Sequence, residues 1–264
     1  MTTRVSRQAE SAAILFDWGE TLVSIPGMIH GAERHIACLR RLYFERRDDG
    51  GPSLADRCGV PWEAFRRAYG DAAQGQIARS AETCREHTFE DRLGDAFCRL
   101  NAPHALEGAE LAALVVRLGH YIVDDAAAVQ GAIEVVPLLA EHYRLGVVSN
   151  YPNAPLVART LERFGILQFF STLVVSGEFG WLKPHPSVFR EALSRLGAQA
   201  EHALFVGDDL RNDVKGPKSL GFRTAWFAPG MPPTNDPDID VQLDDLRELP
   251  QWCRTHFVHH SDAQ

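Results

Sequence analysis

The stretch Ala12-Ala13-Ile14-Leu15-Phe16-Asp17-Trp18-Gly19-Glu20-Thr21-Leu22 sets five apolar residues directly against a carboxylate. So short an apolar run suits a strand buried on both faces, as in a parallel sheet. Four further runs follow, at Leu145 to Val148, Leu173 to Val175, Ala203 to Val206 and Thr224 to Phe227. Helical patterns separate the later ones. Phe189, Leu193 and Leu196 share one helix face, and Gly197 suits the stop behind them. Strands that alternate with helices predict an α/β fold built on a doubly wound parallel sheet.

The interval from 27 to 127 has a different pattern, because its apolar spacing is helical throughout. Trp62, Phe65 and Tyr69 form one stripe, Phe89, Leu93, Phe97 and Leu100 a second, and Leu111, Leu114, Leu118 and Tyr121 a third. Pro61 suits a first helical position, Thr88 with Asp91 resembles a capping box, and Asp48 to Pro52 reads as a loop between helices. These stripes are expected to be core, not a cofactor surface. The chain is thus expected to hold an α/β core over 1–26 and 128–264 and an inserted helical cap over 27–127. The stretch from Pro232 to Asp240 reads as an irregular surface loop.

A chain of 264 residues with 45% hydrophobic content can bury a full core. Its net charge of −8 argues against a nucleic-acid surface, which needs clustered Lys and Arg. The five cysteines, Cys38, Cys58, Cys84, Cys98 and Cys253, are scattered and form no CxxC, so neither a disulfide framework nor a zinc site is expected. No apolar stretch has signal-peptide or membrane-spanning length, so a cytoplasmic, soluble protein without a membrane partner is expected, as a monomer or homodimer. Lysine occurs only at 183, 215 and 218.

Ligands of open parallel sheets bind at the carboxyl ends of the strands. There stand Asp17 after the first run, Ser149 and Asn150 after the second, Lys183 beyond the third, and Asp208, Asp209 and Asp213 after the fourth. FDWGETL, VVSN, the Lys183-Pro184 step and VGDDLRND resemble, in order, the four motifs of the haloacid dehalogenase (HAD) superfamily. The likeness runs from Ile14 to about Phe227, and the helical interval resembles that superfamily's four-helix cap over a Rossmann-like core. It implies a Mg²⁺-dependent hydrolase of small phosphate esters or acyl phosphates, with Asp17 as the nucleophile that becomes an aspartyl-phosphate. It also implies that Asp17, Asp208 and the Gly19 carbonyl ligate Mg²⁺, with Asp213 acting through a water or on Lys183. Ser149, Asn150 and Lys183 are then expected to hold the phosphoryl group of a small phosphorylated metabolite. Asp209 and His185 are expected to be neighbours, not functional groups.

The chain departs from the pattern at one place. HAD phosphatases usually carry a second aspartate two residues after the nucleophile, as acid and base; here that residue is Gly19. Such a loss can cost about 10²- to 10⁴-fold in rate. Glu20 is the nearest candidate to replace it. Phosphonoacetaldehyde hydrolases, which share the Asp-Trp step, need a cap lysine for a Schiff base, and none precedes Lys183. Two other readings remain open at this level: a phosphatase-like protein that binds a ligand or partner with little turnover, and a haloacid dehalogenase.

Overall fold

The computed structural model describes residues 12–25, 32–46, 50–102, 106 and 108–257. Asp48 and Asp49 of the expected loop, and position 27 where the cap is expected to begin, lie outside the described residues. The centre is a six-stranded sheet in the order β5-β4-β1-β6-β7-β8. Its strands are β1 (Ala13–Phe16), β4 (Arg144–Ser149), β5 (Phe170–Val175), β6 (Ala203–Gly207), β7 (Arg223–Phe227) and β8 (Val241–Leu243). All neighbours pair in parallel, so the sheet is the doubly wound one that the apolar runs predict.

β1 shows why its sequence makes a strand. All four residues are fully buried, and alternate side chains point to opposite faces. Ile14 and Phe16 join the core shared with the helical insertion, whereas Ala13 and Leu15 join the core under α9 (Pro186–Leu196). Helix α9 starts with proline and ends at Gly197, whose φ of 60° is a left-handed stop.

The chain leaves the core at β2 (Val23–Ser24) and returns at β3 (Ala127–Ala128), which pair antiparallel. Between them lie α1 (Ala32–Phe44), α2 (Leu54–Cys58), α3 (Trp62–Thr83), α4 (Phe89–Arg99) and α5 (Gly108–Asp125). The aromatic stripes are core: Phe65 and Phe97 are fully buried, and Tyr43, Phe65 and Tyr69 stack in series. The Thr88–Asp91 capping box is present. Pro61 sits one residue earlier than expected, as the N-cap of α3. Neither β8 nor the β2–β3 ribbon is foreseen from sequence, because two or three residues carry no periodicity.

Candidate active site

β1 lies between β4 and β6, while the chain runs from β1 to β4 and β5 and then crosses back to β6. That reversal opens a crevice over the carboxyl end of β1. Asp17 sits there, its N–H donating to the Val206 carbonyl at 2.8 Å, so its place is fixed by the last rung of the ladder. Lys183 reaches into the crevice and donates from Nζ to Asp17 Oδ1 at 2.5 Å and to Asp213 Oδ1 at 2.7 Å. Asp208 completes the group: one oxygen each of Asp17, Asp208 and Asp213 lie within 4.8 Å of one another.

Three carboxylates thus cluster at one ammonium, which hydrogen-bonds two of them. Burial pushes the Asp17 carboxyl above its usual range, and Lys183 only partly offsets this. Burial, with the Asp213 charge adding to it, pushes Asp208 up to about 6. Asp213 is pushed up to about 7 by burial, against the pull of Lys183. Burial works against the Lys183 charge, but Asp17 and Asp213 overcome it and hold its pKa above the ordinary lysine value. The cluster is therefore short of positive charge. Its donors are all oxygen, the set that a hard divalent cation such as Mg²⁺ prefers. Both Asp213 oxygens are engaged, by Lys183 and by the Asp209 N–H at 3.1 Å. Asp17 Oδ2 and the Asp208 carboxylate, which meets only Thr21 Oγ1 at 3.4 Å, are the freer donors.

Local sequence sets each of these side chains. Asn150 clamps the Lys183 main chain: Oδ1 accepts from the Lys183 N–H at 2.6 Å and Nδ2 donates to its carbonyl at 3.0 Å. The Asn150 side chain is thereby committed, and only its main-chain groups are left for a ligand. Ser149 is 3% exposed, and its hydroxyl has no hydrogen-bond partner among the described residues. Asp209 caps the turn Leu210–Lys215, accepting from the Arg211 and Asn212 N–H groups at 2.9 and 2.7 Å. His185 stacks on Trp181 at 3.8 Å and caps α9.

Glu20 takes a left-handed conformation, φ 55°, and accepts from Ser24 Oγ at 3.1 Å. It is absent from the carboxylate cluster, and Gly19 beside it offers no side chain.

Three contributors escape sequence reading. Fully buried Thr21 touches Asp208, and Trp226 donates from Nε1 to the Asp208 carbonyl at 2.8 Å. Gly207 is the third: a Cβ there would stand 2.4 Å from Asp213 Cβ and 2.5 Å from its Oδ2. Only Thr21 and Gly207 lie inside recognisable motifs. Gly207→Ala is expected to displace Asp213, lowering stability by about 1–3 kcal/mol through overpacking. Thermal unfolding beside that of Gly94→Ala, a helix position where an added Cβ meets nothing within 4 Å, checks it.

Lys183 also lines a cavity of about 290 Å³, walled by Gln76, Glu86, His87 and Arg92 of the insertion and by Asn150 of the core; the three carboxylates lie outside its wall. Its seam is a strap from the insertion. Leu182 N–H donates to the Cys84 carbonyl at 2.9 Å and Glu86 N–H to Gly180 at 3.2 Å, while the Arg85 guanidinium lies 3.4 Å over the Trp181 ring. Two other cavities, about 330 and 610 Å³, are lined by none of the cluster residues.

The model of the haloacid dehalogenase-like hydrolase family matches residues 67–227, well over half of the chain. The chain belongs to that family. The match contains Ser149, Lys183, Asp208 and Asp213 and begins after Asp17. Among curated relatives, this HAD-like chain is 36% identical over 124 residues to glyceraldehyde 3-phosphate phosphatase of Methanopyrus kandleri, covering 44% of the chain and 53% of that protein. It is 40% identical over 123 residues to phosphoserine phosphatase of Thermus thermophilus, covering 44% and 48%. The chain thus spans about half the length of the curated relatives it matches. Two solved structures share the HAD-like fold over 93% of this chain and 99% of theirs. One is a 2-haloacid dehalogenase of Pseudomonas syringae (TM-score 0.67, 22% identity), the other YfnB of Bacillus subtilis bound to magnesium (TM-score 0.61, 23% identity). No helix among the described residues is long and apolar enough to cross a membrane.

Proposed function

We propose that the chain is a Mg²⁺-dependent phosphatase of small phosphorylated metabolites that works through an aspartyl-phosphate on Asp17. The observation that carries this reading is the Lys183 ammonium shared between Asp17 and Asp213 beside Asp208, next to a cavity that Lys183 also lines. The phosphatase names of its relatives, and the magnesium in YfnB, point the same way. The same reading divides the chain into a core over 1–26 and 128–264 and a cap over 27–127, with the cavity between them.

Asp17, Asp208 and the Gly19 carbonyl would hold Mg²⁺, with Asp213 behind them, and the ion would neutralise the phosphoryl charge that the carboxylates repel. Asp17 attacks phosphorus, the bond to the leaving oxygen breaks, and water then cleaves the acyl phosphate to free Asp17. Lys183 favours the ionised form of Asp17 and orients it. Ser149 offers its unpartnered hydroxyl to a phosphoryl oxygen, together with main-chain N–H groups around Asn150. Glu20, bonded to Ser24, would have to leave that partner to serve as acid or base. With Gly19 in place of the usual aspartate, acidic leaving groups are favoured and the second step is slow.

Gly19 also favours a second reading, a phosphatase-like protein that binds its ligand with little turnover. The oxygen cluster with Asp208 and Asp213 weighs against carbon–halogen cleavage, which needs no Mg²⁺ in this family. Acetyl phosphate and p-nitrophenyl phosphate assays with and without Mg²⁺, with calorimetry of Mg²⁺ binding, separate the three. Turnover that requires Mg²⁺ is expected, with Mg²⁺ affinity at least tenfold weaker in Asp208→Asn. Mg²⁺ binding without turnover would support the second reading, and halide release from 2-chloropropionate without Mg²⁺ the third.

A further inference from the structure

The insertion side of the cavity presents a cation that no carboxylate among the described residues neutralises. Arg92, on α4, is half-buried, and its Nε donates to Gln76 Oε1 at 3.0 Å. Its guanidinium lies 5.5 Å from the Phe89 ring centre and 5.8 Å from that of Tyr69. Other arginines of the insertion pair differently: Arg57 meets Glu110 and Arg117 meets Glu45, each at 2.8 Å. Arg92 has no acidic partner among the described residues.

Gln76 is 2% exposed, yet its side chain lines the cavity. Its oxygen is used by Arg92, while its Nε2 has no acceptor among the described residues. That amide nitrogen is not sealed from solvent, so it is left for water or for an acceptor on a ligand in the cavity. The one acidic residue of the cavity wall among the described residues, Glu86, is already engaged by the Ser176 hydroxyl at 2.5 Å and the His87 N–H at 2.8 Å. Arg211 adds a second guanidinium from the core side. A fixed fork of donors beside a free amide N–H matches a carboxylate or phosphate, which accepts from both.

We propose that Arg92, held by Gln76, recognises a second anionic group on the leaving-group side of the substrate, so that phosphate esters of acids, or bisphosphates, are selected over esters of neutral alcohols. This rests on the phosphatase reading, in which the phosphoryl group sits at Asp17 and the cavity beside Lys183 takes the leaving group. The anion binds where the leaving oxygen departs, so Arg92 sets specificity without touching the phosphoryl group.

Three phosphonates with the same spacer test it by calorimetry in Mg²⁺ buffer: propylphosphonate, 3-phosphonopropionate and propane-1,3-diphosphonate. Their P–C bonds allow binding to be read without turnover. The native chain is expected to bind one or both of the doubly anionic ligands ~10- to 100-fold more tightly than propylphosphonate. A preference for the second names the carboxylate, and a preference for the third names the phosphate. Arg92→Gln should reduce the preference to within about twofold, Arg92→Lys should keep part of it, and Gln76→Leu should fall between. Melting curves identify a variant that fails to fold, in which case the other two decide. Equal affinity of the native chain for all three, or an intact preference in folded Arg92→Gln, overturns the proposal while leaving the phosphatase reading standing. Failure of every phosphonate to bind rejects the phosphoryl site, and this inference falls with it.

Discussion

Asp17→Asn is expected to lower phosphatase turnover at least ~10⁴-fold while leaving the fold intact. The amide has nearly the shape of the carboxylate, so the side chain still fits behind β1 and can accept from Lys183 Nζ. It cannot attack phosphorus, because its nitrogen lone pair is delocalised and its oxygen carries no charge. Removing a carboxylate whose ionised form is already disfavoured by burial relieves part of the repulsion with Asp208. The melting temperature should therefore hold or rise. Incubation with acetyl phosphate and Mg²⁺ followed by acid quench should show a phosphorylated native chain, persistent because Gly19 supplies no base, and no label in the variant. Turnover above a trace in a folded Asp17→Asn chain would move the nucleophile elsewhere.

Much of this site is legible in the sequence because a parallel sheet converts order along the chain into position in space. Each strand-end residue is delivered to the same edge, so Asp17, Ser149, Lys183 and Asp208 need only follow apolar runs in order to meet. The same logic recovers five of the six sheet strands, since a strand buried on both faces must be continuously apolar. Val241–Leu243 escapes it as an edge strand, partly buried at Val241 and Gln242. Side-chain partners escape it too. That Asn150 serves the Lys183 main chain, and that Glu20 turns to Ser24, depends on loop conformations that spacing does not encode. Gly207 is the opposite case. Its motif shows where it is, but only the 2.4 Å approach to Asp213 shows why no side chain fits. Arg92 stands apart from sequence reading altogether, because among so many arginines only geometry distinguishes one without a carboxylate.

Lys183→Met is expected to abolish turnover and also to destabilise the chain by about 3–5 kcal/mol at pH 8, the cost of breaking a buried ion pair from one side. Methionine fills a similar volume, so the loss is electrostatic and not a cavity. Lys183 is 4% exposed, and without it Asp17 and Asp213 face each other with no counter-charge. The pH dependence follows in sign. Burial raises Asp213 to about 7 even with Lys183 pulling it down, so removing Lys183 raises it further. A carboxyl that binds its proton more tightly folded than unfolded loses stability as pH rises from its unfolded value near 4 to its folded one. The deficit of Lys183→Met against the native chain should therefore be largest at pH 8 and shrink toward pH 5, where folded Asp213 carries its proton. Urea unfolding in EDTA at both pH values measures this without metal. Adding Asp213→Asn to Lys183→Met should recover part of the deficit at pH 8, since one of the two unpaired carboxylates is gone. A deficit independent of pH and unaffected by the second substitution would mean that Lys183 holds the loop by packing, and that the shared ammonium contributes little to the folded state.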